Sequence, residues 1–579
     1  MFVGGTENTE STAFVRRTQK ALARQRYTCV APDAAAEAVF CDIVEQATNT
    51  SFGDDHGLSP KVRTLRDWKR AVPIRSYSDY DRYLQQLLRG ESAILTQDAP
   101  YALLRTSGTS GQPKIVPTTR RWRSRYRSPA LYAQWGLYFE HLAMRELNED
   151  SVLDLSWTPA IPTEYRGEFP IYSITQRPLP RSLDDWCPPW QDASWFSGAD
   201  RAAAGTHSAY RLLRRLAGRE VKLVVSVNPS KITSLAECLN DHSETLIRDL
   251  HDGTALGEPA TAVRPNPDLA RRLDRVRQAH GRLRLTDIWP QLSLRVCWNS
   301  GGAALYQPWL DRIAPGTKQV PFSCTGTEGI VTIPVDDHPT AGPLAIDQGI
   351  FEFVPWDDLE DGSPLPADVE TLDHRELKIG CRYRLVMSQA NGLYRYDVGD
   401  AYEVVGKVGY LPRLEFLGRT GFNSSFTGEK LTDTDVYTAV CRALKVEPQD
   451  CPIFTCVPMW GEPPSYVLVV ELSTQTRAID EHELAVRVDQ ALQRLNVEYG
   501  DKRSSGRLAQ TAVMVLREGS FSAIMDRRIA TGASPAQIKH QWLQKDAALL
   551  TELGKLFPHA VTSVAARRGA RAYRDERAS

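Results

Sequence analysis

The sequence predicts an α/β protein with a large N-terminal part and a small α+β C-terminal part. Three observations lead there. The chain has 579 residues, more than one ordinary core organises, so two or more domains are expected. Up to about residue 430, apolar runs bounded by turn residues alternate with helical patterns, which is the texture of sheets flanked by helices. Beyond that point a helix (433–445), IFTCVPM (453–459), a turn at Gly461-Glu462-Pro463-Pro464, YVLVVEL (466–472), a helix (480–497) and TAVMVL (511–516) follow one another. That β-β-α-β order reads as one small α+β domain.

The elements follow in order. Residues 10–26 predict an exposed amphipathic helix and 34–48 a second helix. VPIRSYSDYDRYLQQLLRGE (72–91) reads as a strand end, a Ser/Asp turn and a helix that stops near Gly90. VKLVVSV (221–227) is a buried strand halted by Asn228-Pro229. A helix over 234–250, a loop over 252–267 and a basic helix over 268–280 come next. LRVCWN (294–299) is an apolar strand running into Gly301-Gly302. GIFEFVP (349–355) and CRYRLVMS (381–388) alternate apolar and polar residues, as half-buried antiparallel strands do. The arginine-rich tail from Ala565 lacks an apolar period and reads as a frayed, solvated end.

A formal net charge of −1 argues against nucleic-acid binding driven by bulk charge. The ten cysteines form no CxxC pair or metal-finger spacing, so a reduced, cytoplasmic chain is expected. No signal pattern opens the chain, and no apolar run reaches the ~20 residues of a membrane helix. Asp336, Asp337 and His338 lack the spacing to face one metal ion and read as a surface turn.

The stretch RTSGTSGQPK (105–114) carries the chemistry. It can be an ordinary Ser/Gly surface loop. It departs from the P-loop pattern, because Lys114 follows Pro113 rather than Gly. It also suits a phosphate-cradling loop of another make. There Thr106, Ser107, Thr109 and Ser110 offer hydroxyls, Gly108 and Gly111 let the backbone approach, and Lys114 supplies charge.

In full, TSGTSGQPKIVPTT resembles the phosphate loop of adenylate-forming enzymes, which use ATP to convert a carboxylate into an acyl-AMP. SCTGTEG (323–329), ending in Thr327-Glu328, looks like their second signature. A carboxylate such as Glu328 suits a Mg²⁺ ion bridging phosphate oxygens. LYRYDVGD (393–400) looks like the third, with Asp400 placed to accept two hydrogen bonds from the ribose hydroxyls. LEFLGRTGFNSSFTGEK (414–430) supplies Arg419, which in that superfamily also reaches the ribose, and Lys430. GASPAQIK (532–539) offers Lys539, whose charge would stabilise the α-phosphate. The order and spacing of these pieces match across the chain.

One branch is closer still. GLYRYDVGD resembles the Gly-Leu-Tyr-Arg-Tyr-Arg-x-Gly-Asp signature of the Gretchen Hagen acyl acid amido synthetases, the plant auxin- and jasmonate-conjugating enzymes with bacterial relatives. SSFTGEKLTDTDV is similar to their hinge segment, with Lys430 as its phosphate-contacting lysine. VPIRSYSDYDRYLQQLLRGE, NTSFGDDHGLS (49–59) and ASPAQIK also resemble that family. Three positions depart: Cys324 stands for a tyrosine, Asp397 for an arginine and Thr427 for an aspartate. They mark a divergent, bacterial-type member. With the tyrosine gone, adenine packing would fall to Gly301, Gly302 and Phe322.

The resemblance implies a large ATP- and acyl-binding domain (1–428) of mixed sheets flanked by helices with a β-barrel-like part. It further implies a small, mobile α+β domain (429–565) hinged near Phe426 to Lys430, and residues 566–579 remain as a basic tail. The implied activity is ATP- and Mg²⁺-dependent activation of a carboxylic acid followed by amide formation with an amine. The alternatives are a thioester ligase using the same adenylate, and a non-catalytic acyl- or nucleotide-binding relative. The implied partners are small molecules, with neither nucleic acid nor membrane, and a monomer is favoured. Trp186, Trp190 and Trp195 are expected in core or loop packing rather than in an acyl pocket. Arg120, Arg121, Arg123, Arg125 and Arg127, interleaved with Trp122 and Tyr126, are expected on a solvated helix face, with an anchor for the acid's carboxylate as the other use.

Overall fold

In a computed structural model of the chain, the residues described are 9–105, 114–142, 147, 150–156, 162, 164–173, 185–189, 207–259, 263–356, 364–419, 429, 431–459, 463–472, 480–530, 540–544 and 547–556. The chain forms two compact units, Met1–Arg419 and Thr420–Ser579.

Three sheets build the first unit. Strands Ile115–Thr119, Pro100–Arg105, Phe169–Ser173 and Glu164–Arg166 form a mixed sheet in that order. Strands Lys318–Pro321, Leu294–Cys297, Leu223–Val225 and Val152–Asp154 form an all-parallel sheet. Such strands need crossovers, and helices His207–Leu216, Pro229–Asp241, Pro267–His280 and Gln307–Ile313 lie between them in sequence. The third sheet is antiparallel, in the order Ala341–Pro343, Leu411–Arg419, Tyr396–Val408, Arg382–Ser388 and Ile350–Pro355. It is open. Its short edge strand Ala341–Pro343 pairs on one side only, so the expected barrel does not close among the described residues.

Several expectations change. The first helix spans Thr9–Val30 and buries Phe14, Val15 and Leu22 instead of lying exposed. It packs along helix Ser128–Glu140. The crossing is close at Gly136, where a Cβ would stand 2.5 Å from Thr18 O and 2.7 Å from Leu22 Cβ. The helix expected over 234–250 is two helices, Pro229–Asp241 and Ser243–Asp252, interrupted at His242. The loop expected over 252–267 holds a short hairpin, Thr254–Ala255 with Glu258–Pro259. The strand end before Ser76 reduces to a single parallel bridge between Arg75 and Tyr396.

The strands Ile350–Pro355 and Arg382–Ser388 are buried on both faces rather than one. The polar members of their alternation are satisfied inside: Glu352 holds Arg395, and Arg384 holds Asp397.

In the second unit, Phe454–Met459 pairs antiparallel with Ser465–Glu471, which pairs parallel with Ala512–Leu516. The parallel connection runs through Glu481–Leu495 and Val497–Ser504, two helices where one was expected. Asn496 divides them, because its side chain caps the second by accepting from Tyr499 N–H. Residues 566–579 lie outside the described residues.

Candidate active site

In an open parallel sheet, ligands sit outside the carboxyl ends of the strands. Two site segments leave the sheet there. Leu294–Cys297 ends shortly before Gly301, and its neighbour Lys318–Pro321 runs into Ser323–Glu328. Gly301 has φ +56°, and a Cβ there would lie 3.5 Å from Leu417 O and 3.7 Å from the Phe416 ring. Phe416 meets Trp298 edge-on at 5.6 Å and Tyr402 at 5.6 Å. Tyr402 in turn places its hydroxyl 3.0 Å from Cys324 Sγ. Asp400 and Arg419 stand directly opposite each other in the antiparallel ladder. Gly301, Cys324 and the Asp400–Arg419 pair thus share one neighbourhood. The sequence reading missed Tyr402, whose ring stands beside the cysteine that replaces the signature tyrosine. Its strand period and the distant Cys324 gave no sign of the contact.

Lys114 directly precedes Ile115, which pairs opposite Arg105 in the antiparallel ladder. Its Nζ donates to Tyr396 Oη at 2.9 Å and lies 5.4 Å from the Tyr77 ring centroid. Tyr77 pins the returning strand: its hydroxyl donates to Ile115 O at 2.8 Å and accepts from Ile115 N at 2.7 Å. Burial pushes the Tyr77 phenol up to about 12, so it stays neutral. Thr106, Ser107, Gly108, Thr109, Ser110 and Gly111 lie outside the described residues, as does the side chain of Arg419, while Gly302 follows Gly301 in the turn of helix Gly301–Tyr306.

The residues of LYRYDVGD divide their work. Tyr394 donates to Leu95 O at 2.7 Å, and its N–H donates to Tyr80 Oη at 2.8 Å. Arg395, in the left-handed region at φ +47°, turns into the core. It grips Glu352 at 2.8 and 2.9 Å and donates to Val72 O at 2.8 Å. Thr371 donates to the same carboxylate at 2.6 Å. Removing one partner of so buried a pair costs about 3–5 kcal/mol. Tyr396 meets Lys114, and Asp397 accepts from Arg384 Nε at 2.9 Å. The signature's arginine is therefore a framework residue, and Asp397 is neutralised inside the sheet.

Thr327 and Glu328 are both 6% exposed. Their turn is closed by Gly326 N–H to Gly329 O at 2.9 Å and held from outside by Asn391 Nδ2 donating to Glu328 O at 3.1 Å. A Cβ on Gly326 would stand 2.7 Å from Glu328 Oε2, so the carboxylate folds back over its own turn. Among the described residues no three His, Cys, Asp or Glu side chains gather as a metal cage. A single carboxylate fits Mg²⁺, which takes its other ligands from phosphate oxygens and water.

The arginine-rich stretch is a solvated face only in part, since Arg120 and Arg125 are exposed while others turn inward. Arg123–Arg127 forms a π-helical turn, and Arg123 and Arg127 are 5% and 6% exposed. Arg121 and Arg125 clasp the buried Asp42 at 3.0 and 2.6 Å, and Tyr126 donates to the same carboxylate. Asp42 sits on helix Pro32–Ala47, beyond the reach of any local pattern. Trp186 is core, stacked edgewise on Tyr132 and Phe14. Trp190 and Trp195 lie outside the described residues.

Further polar groups border the sheet's carboxyl ends. Ser323 donates to Gln134 on helix Ser128–Glu140. Lys231 donates to Leu155 O at 3.0 Å, and burial pushes its ammonium down to about 8 against the attraction of Asp154. Asp336 is taken by Arg413, and Asp337 by Lys318.

In the second unit, Lys430 and Lys539 lie outside the described residues. Their neighbours are firmly placed. Glu429 accepts from Tyr466 Oη at 2.6 Å. His540 Nε2 lies 2.7 Å from Phe454 O, and Leu543 N–H donates to Asp433 at 2.7 Å. Burial pushes His540 down to about 4 and Asp433 up to about 6.

Comparison with known proteins matches three family descriptions along the chain: GH3 family N-terminal domain over residues 21–319, GH3 family central domain over 342–419, and GH3 family C-terminal domain over 434–548. Similar curated proteins include the indole-3-acetic acid-amido synthetase GH3.4 of Arabidopsis thaliana, 24% identical over 552 residues and covering 88% of each chain. The jasmonoyl–L-amino acid synthetase GH3.5 of Oryza sativa subsp. japonica is 22% identical, over 86% of this chain and 90% of its own. Among solved structures, the GH3.15 acyl acid amido synthetase superposes with a TM-score of 0.73 at 19% identity, covering 93% of this chain and 95% of that one.

Proposed function

The chain belongs to the GH3 family, and from that membership we propose that it is an ATP-dependent acyl acid amido synthetase. In this reading a carboxylate oxygen of the acid attacks the α-phosphorus of ATP, the bond to pyrophosphate breaks, and an acyl-AMP forms. An amine then attacks the acyl carbonyl, AMP leaves, and an amide remains. Catalysis rests on positioning and charge stabilisation. The observation that carries the reading is the contact of Lys114 with the first residue of the Tyr396–Val408 strand. Lys114 is held by Tyr396, four residues before Asp400, and Asp400 faces Arg419 across the ladder.

The proposed roles follow from chemistry. The loop residues Thr106–Gly111 and Lys114 hold the β- and γ-phosphates. Asp400 and Arg419 hold the ribose. Gly301, beside Phe416, and Gly302 give the adenine ring a flat approach. Glu328 holds Mg²⁺, which when bound neutralises phosphate charge. Lys430 and Lys539 stabilise phosphate charge. The attacking amine must be neutral, so transfer accelerates with pH until the amine's own pKa is passed.

A pyrophosphate-release screen tests this, crossing carboxylic acids with amino acids, other amines and coenzyme A. The expected result is acid-dependent release with an amide as product, abolished by chelating Mg²⁺. A thioester product would replace the amide reading, and no release with any acid would end the enzymatic one.

A further inference from the structure

The four parallel strands of the first unit leave their sheet on one side, in sheet order, where ligands sit in such folds. The proposed metal and nucleotide groups use two of these exits: Glu328 lies beyond Lys318–Pro321 and Gly301 beyond Leu294–Cys297. The other two exits, beyond Leu223–Val225 and Val152–Asp154, hold polar groups with no role in gripping ATP. The exits adjoin: Trp298 N–H donates to Val227 O at 3.2 Å, and Leu155 N–H donates to Val225 O at 2.7 Å. Asn228 caps helix Pro229–Asp241 by accepting from Ser230 N–H, which sets Lys231 in its first turn. Half-buried, Lys231 donates from Nζ to Leu155 O at 3.0 Å and, among the described residues, to nothing else. An ammonium carries three donors, so two are left for a ligand. Asp154 attracts that ammonium but makes no ion pair with it, and burial pushes Lys231 down to about 8. A bound anion would relieve that cost. Asp154, 5% exposed, accepts from Ser156 N–H at 2.9 Å. Ser156 is 9% exposed, and its buried Oγ meets no hydrogen-bond partner among the described residues.

We propose that Lys231 and Ser156 bind the carboxylate of an amino-acid acceptor and so select amino acids over plain amines. The inference rests on the proposed amide formation and assigns its acceptor subsite. A cation at this exit repels a bare ammonium, so it favours an amine that carries its own anion. At neutral pH an amino acid arrives as a zwitterion, and a site with one charge of each sign suits it. Lys231 and Ser156 take the carboxylate. Asp154 takes the ammonium, which sheds its proton before the nitrogen attacks. The activated acid is no rival for the lysine, because its charge is gone once a carboxylate oxygen bonds to phosphorus. The proposed phosphate lysine, Lys114, is engaged elsewhere, by Tyr396 and Tyr77. The acceptor's carboxylate takes no part in bond making, so its grip is the same before and during the transfer. Lys231 should therefore act on KM for the acceptor more than on kcat.

The test uses the full chain with Lys231→Met and Ser156→Ala. The acid is whichever of hexanoate, benzoate and indole-3-acetate drives ATP–pyrophosphate exchange best. The acceptors are L-alanine, L-phenylalanine and L-glutamate, each beside its α-carboxamide. For the best acceptor, the wild type should show a KM about 30-fold lower for the amino acid than for its carboxamide. Lys231→Met should raise the amino acid's KM by about 30-fold, with kcat within about three-fold, and leave the carboxamide's KM within about two-fold. Ser156→Ala should move the same KM in the same direction by about five-fold. KM for the acid and for ATP in exchange should stay within about two-fold. Wild-type indifference between amino acid and carboxamide overturns the assignment, and that comparison stands even where a variant does not fold. So does a preference that survives Lys231→Met, or a loss shared equally by exchange. Each of these outcomes leaves acid activation intact. If exchange runs but no amine yields an amide, the acceptor subsite falls with the amide reading. If no acid drives exchange in the wild type, both readings fall.

Discussion

A methyl group at position 326 would stand 2.7 Å from Glu328 Oε2, the far end of a flexible side chain. Gly326→Ala should therefore move the carboxylate rather than the backbone. The expected outcome is a rise of about ten-fold or more in the Mg²⁺ concentration needed for half-maximal exchange. The melting temperature should stay within about 2 °C. A drop in stability with unchanged Mg²⁺ dependence would deny Glu328 the metal role. At this scale chemistry and spacing single out candidates, as at Lys114, Glu328 and Asp400. The sequence was silent on Tyr402, whose partner Cys324 is 78 residues away, and it put Arg127 on a solvated face because Thr325 is 198 residues away.

At the scale of elements, the segment 540–544 docks against strand Phe454–Met459 and the start of helix Asp433–Leu444. Two titratable groups there pull in opposite directions. His540 titrates near 6.5 when unfolded and about 4 when folded, so the unfolded chain takes up more protons between those values. Its contribution is complete above 6.5 and lost as pH falls toward 4. Asp433 is raised from 3.8 to about 6, so its contribution is complete below 3.8 and lost as pH rises through 6. The windows overlap and largely offset. Relative to wild type, His540→Gln should make the smaller unit less stable as pH rises from 4 to 6, and Asp433→Asn should do the reverse. Hydrogen exchange of the Phe454–Met459 amides across that range measures both. Parallel pH profiles for all three proteins would refute the linkage.

At the scale of the molecule, the proposed chemistry has two half-reactions, and Lys539 is assigned to the first. Lys539→Ala should lower acyl-AMP formation by about 100-fold while leaving amide formation from supplied acyl-AMP within a few-fold. Rapid-quench assays of the two half-reactions separate these effects. Equal losses in both would place Lys539 outside adenylation.

The amino-acid sequence by itself determined the family, the class of fold and the residues with chemical capacity. Short-range signals carry them: glycine and hydroxyl clusters, carboxylates at turn ends, and apolar runs of recognisable period. Tertiary structure alone decided which polar residues face inward. The alternation of Ile350–Pro355 and Arg382–Ser388 reads as half-exposed until Arg395 and Asp397 arrive to neutralise Glu352 and Arg384. The arginines after Thr119 read as solvated until Asp42 is brought beside two of them. Buried charges such as Glu352 and Asp42 are neutralised by partners from elsewhere in the chain, and no local pattern records that meeting.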